Sequence, residues 1–313
     1  MRRSAFIKSI LLVAAATKVF STGVVNAFAV ASSNFKHIYT NGKLKNSFYG
    51  FLKNVFTLYP EQDMHKLIDD TTVKLADDQH IYLEVQSNLH KITPALSTVR
   101  YALPALMKQK DEMAKETLTL LGEGGTYDGY LEIGSCGRYL DYLEEKVTIK
   151  GKRYCADGKE PGYAITEMLD RGQIAIGAKY IPLANYKTKY ADIIPPASLD
   201  LVTIYIGFHH CPLDLRTPFI SSIRDTLRPG GKLILRDHDC DTDDQKTLVA
   251  LAHDVFNLGT QETWEYNQNE IRNFYSLQFI CGFVENIGFK FDKRTLFQEG
   301  DPTKNALMLF TKV

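Results

Sequence analysis

The stretch Tyr130-Leu-Glu-Ile-Gly-Ser-Cys-Gly-Arg138 constrains this chain more than any other. Tyr130–Ile133 reads as a short buried strand that runs straight into a glycine turn, with an acid, Glu132, near the strand's end. A helical run, Tyr139–Glu145, follows. An open parallel α/β sheet holds a nucleotide-type ligand in this way. Glycines let the backbone approach the ligand, and the first turn of the helix offers N–H groups without helical partners. Gly134 and Gly137 flank Ser135 and Cys136, so the spacing is not GxGxxG. A lone glycine turn is a weak signal, and a tight strand-to-helix turn without a ligand has the same appearance.

The rest of the C-terminal half supplies the sheet that such a turn needs. Apolar runs at Tyr130–Ile133, Arg153–Ala156, Ile174–Ala178, Leu201–Gly207 and Lys232–Leu235 alternate with helical patterns such as Ala164–Arg171 and Pro218–Leu227. That alternation predicts a doubly wound α/β fold, a parallel sheet with helices on both faces. The end of the chain differs. Phe289–Phe297 and Ala306–Lys312 read as two strands joined by a Gly-Asp-Pro turn, which is a hairpin.

Two further segments fix the order of motifs. One is Ser198-Leu-Asp-Leu-Val-Thr-Ile-Tyr-Ile-Gly-Phe-His-His210; the other is Leu227-Arg-Pro-Gly-Gly-Lys-Leu-Ile-Leu-Arg-Asp-His-Asp239. Together with the glycine turn, in this order, they resemble the class I S-adenosylmethionine-dependent methyltransferases, in particular their type 11 branch. The resemblance covers the catalytic half of the chain. It implies a mostly parallel seven-stranded, Rossmann-like sheet whose terminal hairpin is the antiparallel edge pair that separates methyltransferases from dehydrogenases. It also implies S-adenosyl-L-methionine as cofactor and methyl transfer to an acceptor, here expected to be a small molecule. The sequence departs from the usual GxGxG at Cys136 and Arg138, where glycines are common.

The same resemblance assigns roles. Gly134, Ser135 and Gly137 let the backbone touch the amino-acid part of the cofactor, and Glu132 binds near its ammonium, directly or through water. Asp157, at the end of the second strand, stands where an acid accepts from two ribose hydroxyls; a loop-opening Asp before Gly158 is the bland reading. Asp192 is the candidate for the adenine amino group. His209 and His210 follow the fourth strand, where methyl group and acceptor meet, and His238 with Asp239 follows the fifth. A neutral histidine there could take a proton from the acceptor, or the pair could simply order the loop into Cys211-Pro212. Asp200, before the fourth strand, reads as structural. His253 and Asp254 add metal-ligand residue types, but no spacing resembles a known metal site, and no metal is expected. Arg228-Pro-Gly-Gly231 is a turn between helix and strand.

The N-terminal part reads as two further units. Residues 1–31 are apolar and basic, with small-x-small triplets at Ala27–Ala29 and Ala29–Ala31, and read as a signal peptide or membrane anchor; a transit peptide or a packed helix also fits. Membrane contact, if any, would run through them. Residues 32–125 read as a helical cap. Phe48, Phe51/Leu52 and Phe56 follow helical spacing, as a core stripe or a lid over the site. Helices are expected over 62–93 and Ala95–Leu121, and Gly122-Glu-Gly-Gly-Thr126 marks the boundary with the catalytic domain, 126–313.

Composition excludes less than the motifs do. Net charge is +0, which counts against nucleic acid, although no acid precedes Glu61. Five cysteines without CxxC spacing argue against a disulfide framework or a zinc ribbon. Two other functions share parts of this pattern: a nicotinamide-dependent oxidoreductase, and a non-catalytic methyltransferase-like interaction module at a membrane.

Overall fold

The computed structural model describes residues 33–94, 101, 103–163, 168 and 177–313. The segment 1–31, the start of the run Ala95–Leu121 and most of the helix expected over Ala164–Arg171 lie outside the described residues. Among the described residues, no helix is long and apolar enough to cross a membrane.

The C-terminal half is built from β1 (Thr126–Ile133), β2 (Thr148–Asp157), β3 (Lys179–Pro182), β4 (Leu199–Ile204), β5 (Leu227–His238), β6 (Phe289–Phe297) and β7 (Asn305–Lys312). They form one seven-stranded sheet in the order β3-β2-β1-β4-β5-β7-β6. β1 pairs parallel with β2 and β4, β2 with β3, and β4 with β5, whereas β7 is antiparallel to both β5 and β6. The order reverses between β1 and β4, so the two strand ends bearing the Gly-Ser-Cys-Gly and Gly-Phe-His-His segments lie side by side. Open α/β sheets bind ligands at that reversal.

Alternation along each strand explains the two covered faces. Leu131, Ile133, Val202, Ile204, Leu233 and Leu235 join one core with Phe219 and Ile223 of α7 (Arg216–Thr226) and Ile280 and Val284 of α10 (Leu277–Glu285). Their neighbours Tyr130, Leu201 and Ile234 face the other way. That face is covered by α6 (Leu140–Glu144) and by α5 (Leu103–Leu121), through Met113, Ala114, Leu118 and Leu120. The last helix before the glycine loop therefore packs as a layer of the sheet domain.

The cap proper consists of α1 (Asn34–Thr40), α2 (Gly42–Phe51) with a π-helical turn at Leu52–Phe56, α3 (Glu61–Lys74) and α4 (Asp78–Ile92). Side-chain oxygens start three of these helices: Ser33, Asn41 and Asp77 accept from the N–H groups of Lys36, Lys43 and His80. Phe48, Phe51, Leu52 and Phe56 are buried with Leu248, Leu251 and Val255 of α8 (Asp243–Gly259). Burying each such ring contributes about 2–3 kcal/mol, so the stripe glues the cap to the sheet domain. Gly259 is part of that contact: a Cβ there would come within 2.7 Å of the Phe56 ring.

One strand differs from expectation. The third strand is Lys179–Pro182, not Ile174–Ala178; 174–176 lie outside the described residues, and Gly177 and Ala178 precede the strand. Leu227-Arg-Pro-Gly-Gly231 is a turn within β5: Leu199 pairs with Leu227 and Leu201 with Lys232, so residues 228–231 stand opposite Asp200 alone. Asp200 closes the opposite, N-terminal edge, accepting from the Asp128 N–H at 2.6 Å and from Arg228 at 2.8 Å.

Candidate functional site

The turn after β1 is made by three left-handed residues, Gly134 (φ 98°), Cys136 (φ 49°) and Gly137 (φ 75°). Gly134 has no alternative: a Cβ there would lie 2.6–2.8 Å from Cβ, N and Cγ2 of Ile206. Cys136 takes a conformation that favours glycine at a cost of about 1–2 kcal/mol. This explains why glycine is common at its position, and its thiol partly offsets the cost by donating to Asp157 Oδ2 at 3.2 Å.

Glu132 lies fully buried beneath this turn. Its carboxylate accepts from Ser135 Oγ and from Tyr130 OH (3.1 Å), with the Tyr139 N–H at 3.5 Å. Burial pushes the carboxyl up to about 7, against the pull of these donors. Asp157 ends β2 and accepts from the Gly158 N–H at 2.6 Å as well as from Cys136. Burial raises it to about 6. Asp192 is elsewhere. It sits exposed in a short turn, Tyr190–Asp192, well beyond Pro182 where β3 ends; like Glu132, Ser135, Gly137 and Asp157, it does not line the cavity described next. Its expected position at the end of the third strand is corrected accordingly.

A cavity of about 150 Å³ opens between cap and sheet at the C-terminal strand ends. Gly134, Arg138 and Tyr139 form one end; Phe51, Val55 and Phe56 roof it from the cap. The other end is histidine. His209, His210 and His238 line it, and so does His253 of α8. Ring centroids are 4.2 Å apart for His209–His210, 5.0 Å for His209–His253 and 5.4 Å for His209–His238, and Phe274 packs 5.0 Å from His209. Gly207 makes room, because a Cβ there would fall 2.1 Å from His209 Cε1.

Each of these imidazoles is held through Nδ1. His209 Nδ1 meets Asp237 Oδ1 at 2.7 Å, and Asp237 also accepts the backbone N–H groups of His209 (2.9 Å) and His238 (2.7 Å). His210 and His238 donate from Nδ1 to the carbonyls of Ile271 and Thr303, both at 2.9 Å. His253 Nδ1 lies 3.3 Å from Glu270 Oε2. A carbonyl or carboxylate fixes the proton on Nδ1 and leaves the Nε2 lone pair available. Burial pushes His209 and His238 well below the ordinary imidazole range and His210 to about 4, so these rings are neutral at pH 7.

The structure thus brings His209, His210 and His238 together. It adds three residues that the sequence reading had passed over or left aside: His253, Asp237 and Glu270. Asp237 was legible in principle, since it follows Leu233 and Leu235 on the same face of β5. The aromatic and Arg-containing segment after α8 supports the cluster from outside. Arg272 binds Asp254 (2.7 Å) and Glu270 (2.8 Å), Trp264 of α9 (Trp264–Asn269) packs on Tyr82, and Asn273 N–H donates to His209 O. Asp254 is a tie between cap and segment, also accepting from Asn34 and Asn267.

The strand order and the reversed seventh strand decide the architecture. The fold is that of the class I S-adenosylmethionine-dependent methyltransferases. No protein-family profile matches the chain, and no curated protein matches it. Solved structures do resemble it. The 1,6-didemethyltoxoflavin-N1-methyltransferase of Burkholderia thailandensis, crystallised with 1,6-didemethyltoxoflavin and S-adenosylhomocysteine, is 12% identical over 76% of this chain and 92% of its own, with a TM-score of 0.44. A SAM-dependent methyltransferase from Aquifex aeolicus is 17% identical over 73% and 98%, TM-score 0.43. One from Methanosarcina mazei is 15% identical over 59% and 92%, TM-score 0.41. Topology, rather than these distant likenesses, carries the statement about fold.

Proposed function

We propose that the chain is an enzyme that transfers a methyl group from S-adenosyl-L-methionine to a small-molecule acceptor. One observation carries this reading: a glycine turn after β1, a half-buried acid ending β2 and a histidine cluster after β4 and β5 converge at one edge of a sheet with the methyltransferase strand order. Gly134, Ser135 and Gly137 would hold the amino-acid part of the cofactor, with Glu132 acting from beneath through Ser135. Asp157 would accept from the ribose hydroxyls. The sulfonium would then point along the cavity towards His209, His210 and His238, one of which takes the acceptor's proton as the nucleophile forms.

The far wall supports a polar acceptor. Asp301 Oδ2 and Asn305 Oδ1 are buried acceptor atoms without a hydrogen-bond partner among the described residues, and both residues line the cavity. Such atoms favour a ligand that brings N–H or O–H donors. In this proposal α1–α4 form the cap, and α5 joins residues 126–313 in the transferase domain, so the boundary expected at 125 moves ahead of α5. The reversed β7 speaks against a nicotinamide-dependent oxidoreductase. Calorimetry of the full chain with S-adenosylmethionine, S-adenosylhomocysteine and NAD tests the reading. Micromolar binding of the first two alone is expected, and binding of NAD or of none of them would refute it.

A further inference from the structure

The histidine end of the cavity contains more than a general base requires. A base needs one imidazole with a free lone pair. Here one ring nitrogen from each of His209, His210 and His253 falls within 4.8 Å of the other two. His209 is buried, and its Nε2 has no hydrogen-bond partner among the described residues. Every Nδ1 in the group is turned outward onto an acceptor: Asp237 for His209, the Ile271 carbonyl for His210 and Glu270 for His253. Histidines that ligate a metal are held in this way, the second ring nitrogen donating to a carboxylate or carbonyl so that the first presents its lone pair.

We propose that His209, His210 and His253 form a binding site for one divalent transition-metal ion of the Zn²⁺ or Co²⁺ type, with coordination positions left open to the cavity. Three imidazole nitrogens suit borderline ions and not Mg²⁺, which prefers oxygen ligands. Bonds of about 2.1 Å put tetrahedral ligand nitrogens roughly 3.4 Å apart, so side-chain rotations of about an ångström would close the site. The carboxylates are placed for the added charge: Asp237 lies behind His209, and Glu270 behind His253. Three protein ligands with open positions form the arrangement of a catalytic rather than a structural ion. The role of the ion rests on the methyl-transfer reading. An acceptor hydroxyl or amine bound to it would give its proton more readily to His238, the histidine of the three that the ion leaves free. The freed lone pair takes the methyl group, and the carbon–sulfur electron pair stays on sulfur, yielding S-adenosylhomocysteine. His238, whose ring is 6.0 Å from that of His253, stands beside the site rather than in it.

The test uses the full chain, stripped with a chelator and titrated with Co²⁺ while the visible d–d bands are read, with Zn²⁺ followed by calorimetry and Mg²⁺ as control. One Co²⁺ per chain is expected, with X-ray absorption showing imidazole nitrogens. His253→Ala and His210→Ala should each weaken binding about 100-fold or more, and Asp237→Asn about 10–100-fold. Circular dichroism confirms that each variant is folded; should a variant unfold, the wild-type absorption spectrum still decides the ligand set. Absence of saturable Co²⁺ binding, a spectrum without imidazole scattering, or wild-type affinity in either folded histidine variant would overturn the proposal. S-adenosylhomocysteine affinity, measured on the same samples, reads the methyl-transfer proposal separately: either site can fail while the other stands.

Discussion

The glycine turn and the histidine cluster solve opposite problems. At the glycine turn the acids lie behind the cavity wall and are already occupied. Glu132 accepts from Ser135 and Tyr130, and Asp157 from Cys136 and the Gly158 N–H, so burial raises both carboxyls without leaving them unbonded. At the histidine end the bonds are made on the far side of each ring, and the near side is left open. The first end is a preformed shape that receives a ligand through its backbone. The second presents lone pairs and waits for a proton or a cation. A transferase needs both kinds of surface: one that fixes the donor without reacting with it, and one that reacts.

This contrast can be broken most strongly at Gly134. Gly134→Ala forces a Cβ against the backbone of Ile206 at a positive φ, and should destabilise the chain by about 3 kcal/mol or more. Urea denaturation measures it; a loss below about 1 kcal/mol would show that the turn has room to spare.

Glu132 gives the next effect, through pH. Its carboxyl titrates at about 7 when folded against an ordinary value of 4.5. Between those values the folded chain keeps a proton that the unfolded chain releases. Stability is therefore highest below the unfolded value and falls as pH rises, by about 3 kcal/mol at most. Asp157, raised to about 6, adds a slope of the same sign. Unfolding free energies from pH 4 to 8 should show this decline, and Glu132→Gln should flatten most of it. A Glu132→Gln variant with an unchanged slope would mean that the acid is better solvated than its burial implies.

Asp157→Ala should weaken S-adenosylhomocysteine binding by about tenfold or more, or about 1.4 kcal/mol, while Co²⁺ binding at the histidines stays within about twofold. Loss of both would mean that the ends are not separate. The smallest effect belongs to Cys136→Gly. Relief of the left-handed strain is nearly cancelled by the freedom glycine gains when unfolded, so stability should move by less than about 1 kcal/mol. Removing the thiol from Asp157 should leave affinity for S-adenosylhomocysteine unchanged or a few-fold tighter; a loss would give the thiol a binding role of its own.

What the sequence made legible follows the same division. The strand–turn–helix at Tyr130–Arg138, the histidines after β4 and the terminal hairpin are local patterns, and each falls where its spacing predicts. β3 was misplaced because edge strands are short and less apolar: Lys179-Tyr-Ile-Pro182 carries a lysine and a proline, while Ile174–Ala178 has the more apolar run. Asp192 was misplaced with it. The histidine cluster could not be read whole, because His253 and Glu270 come from α8 and the segment after α9, and only packing brings them to His209. The cation site proposed above has no motif spacing to announce it, because its ligands are gathered from separate elements.

The most direct test is a crystal structure of the chain with S-adenosylhomocysteine. The account predicts the amino-acid part of the ligand on the Gly134–Gly137 turn, the ribose hydroxyls on Asp157 and the sulfur facing His209 and His238 across the cavity. A ligand bound elsewhere, or one whose sulfur faces away from the histidines, would contradict it.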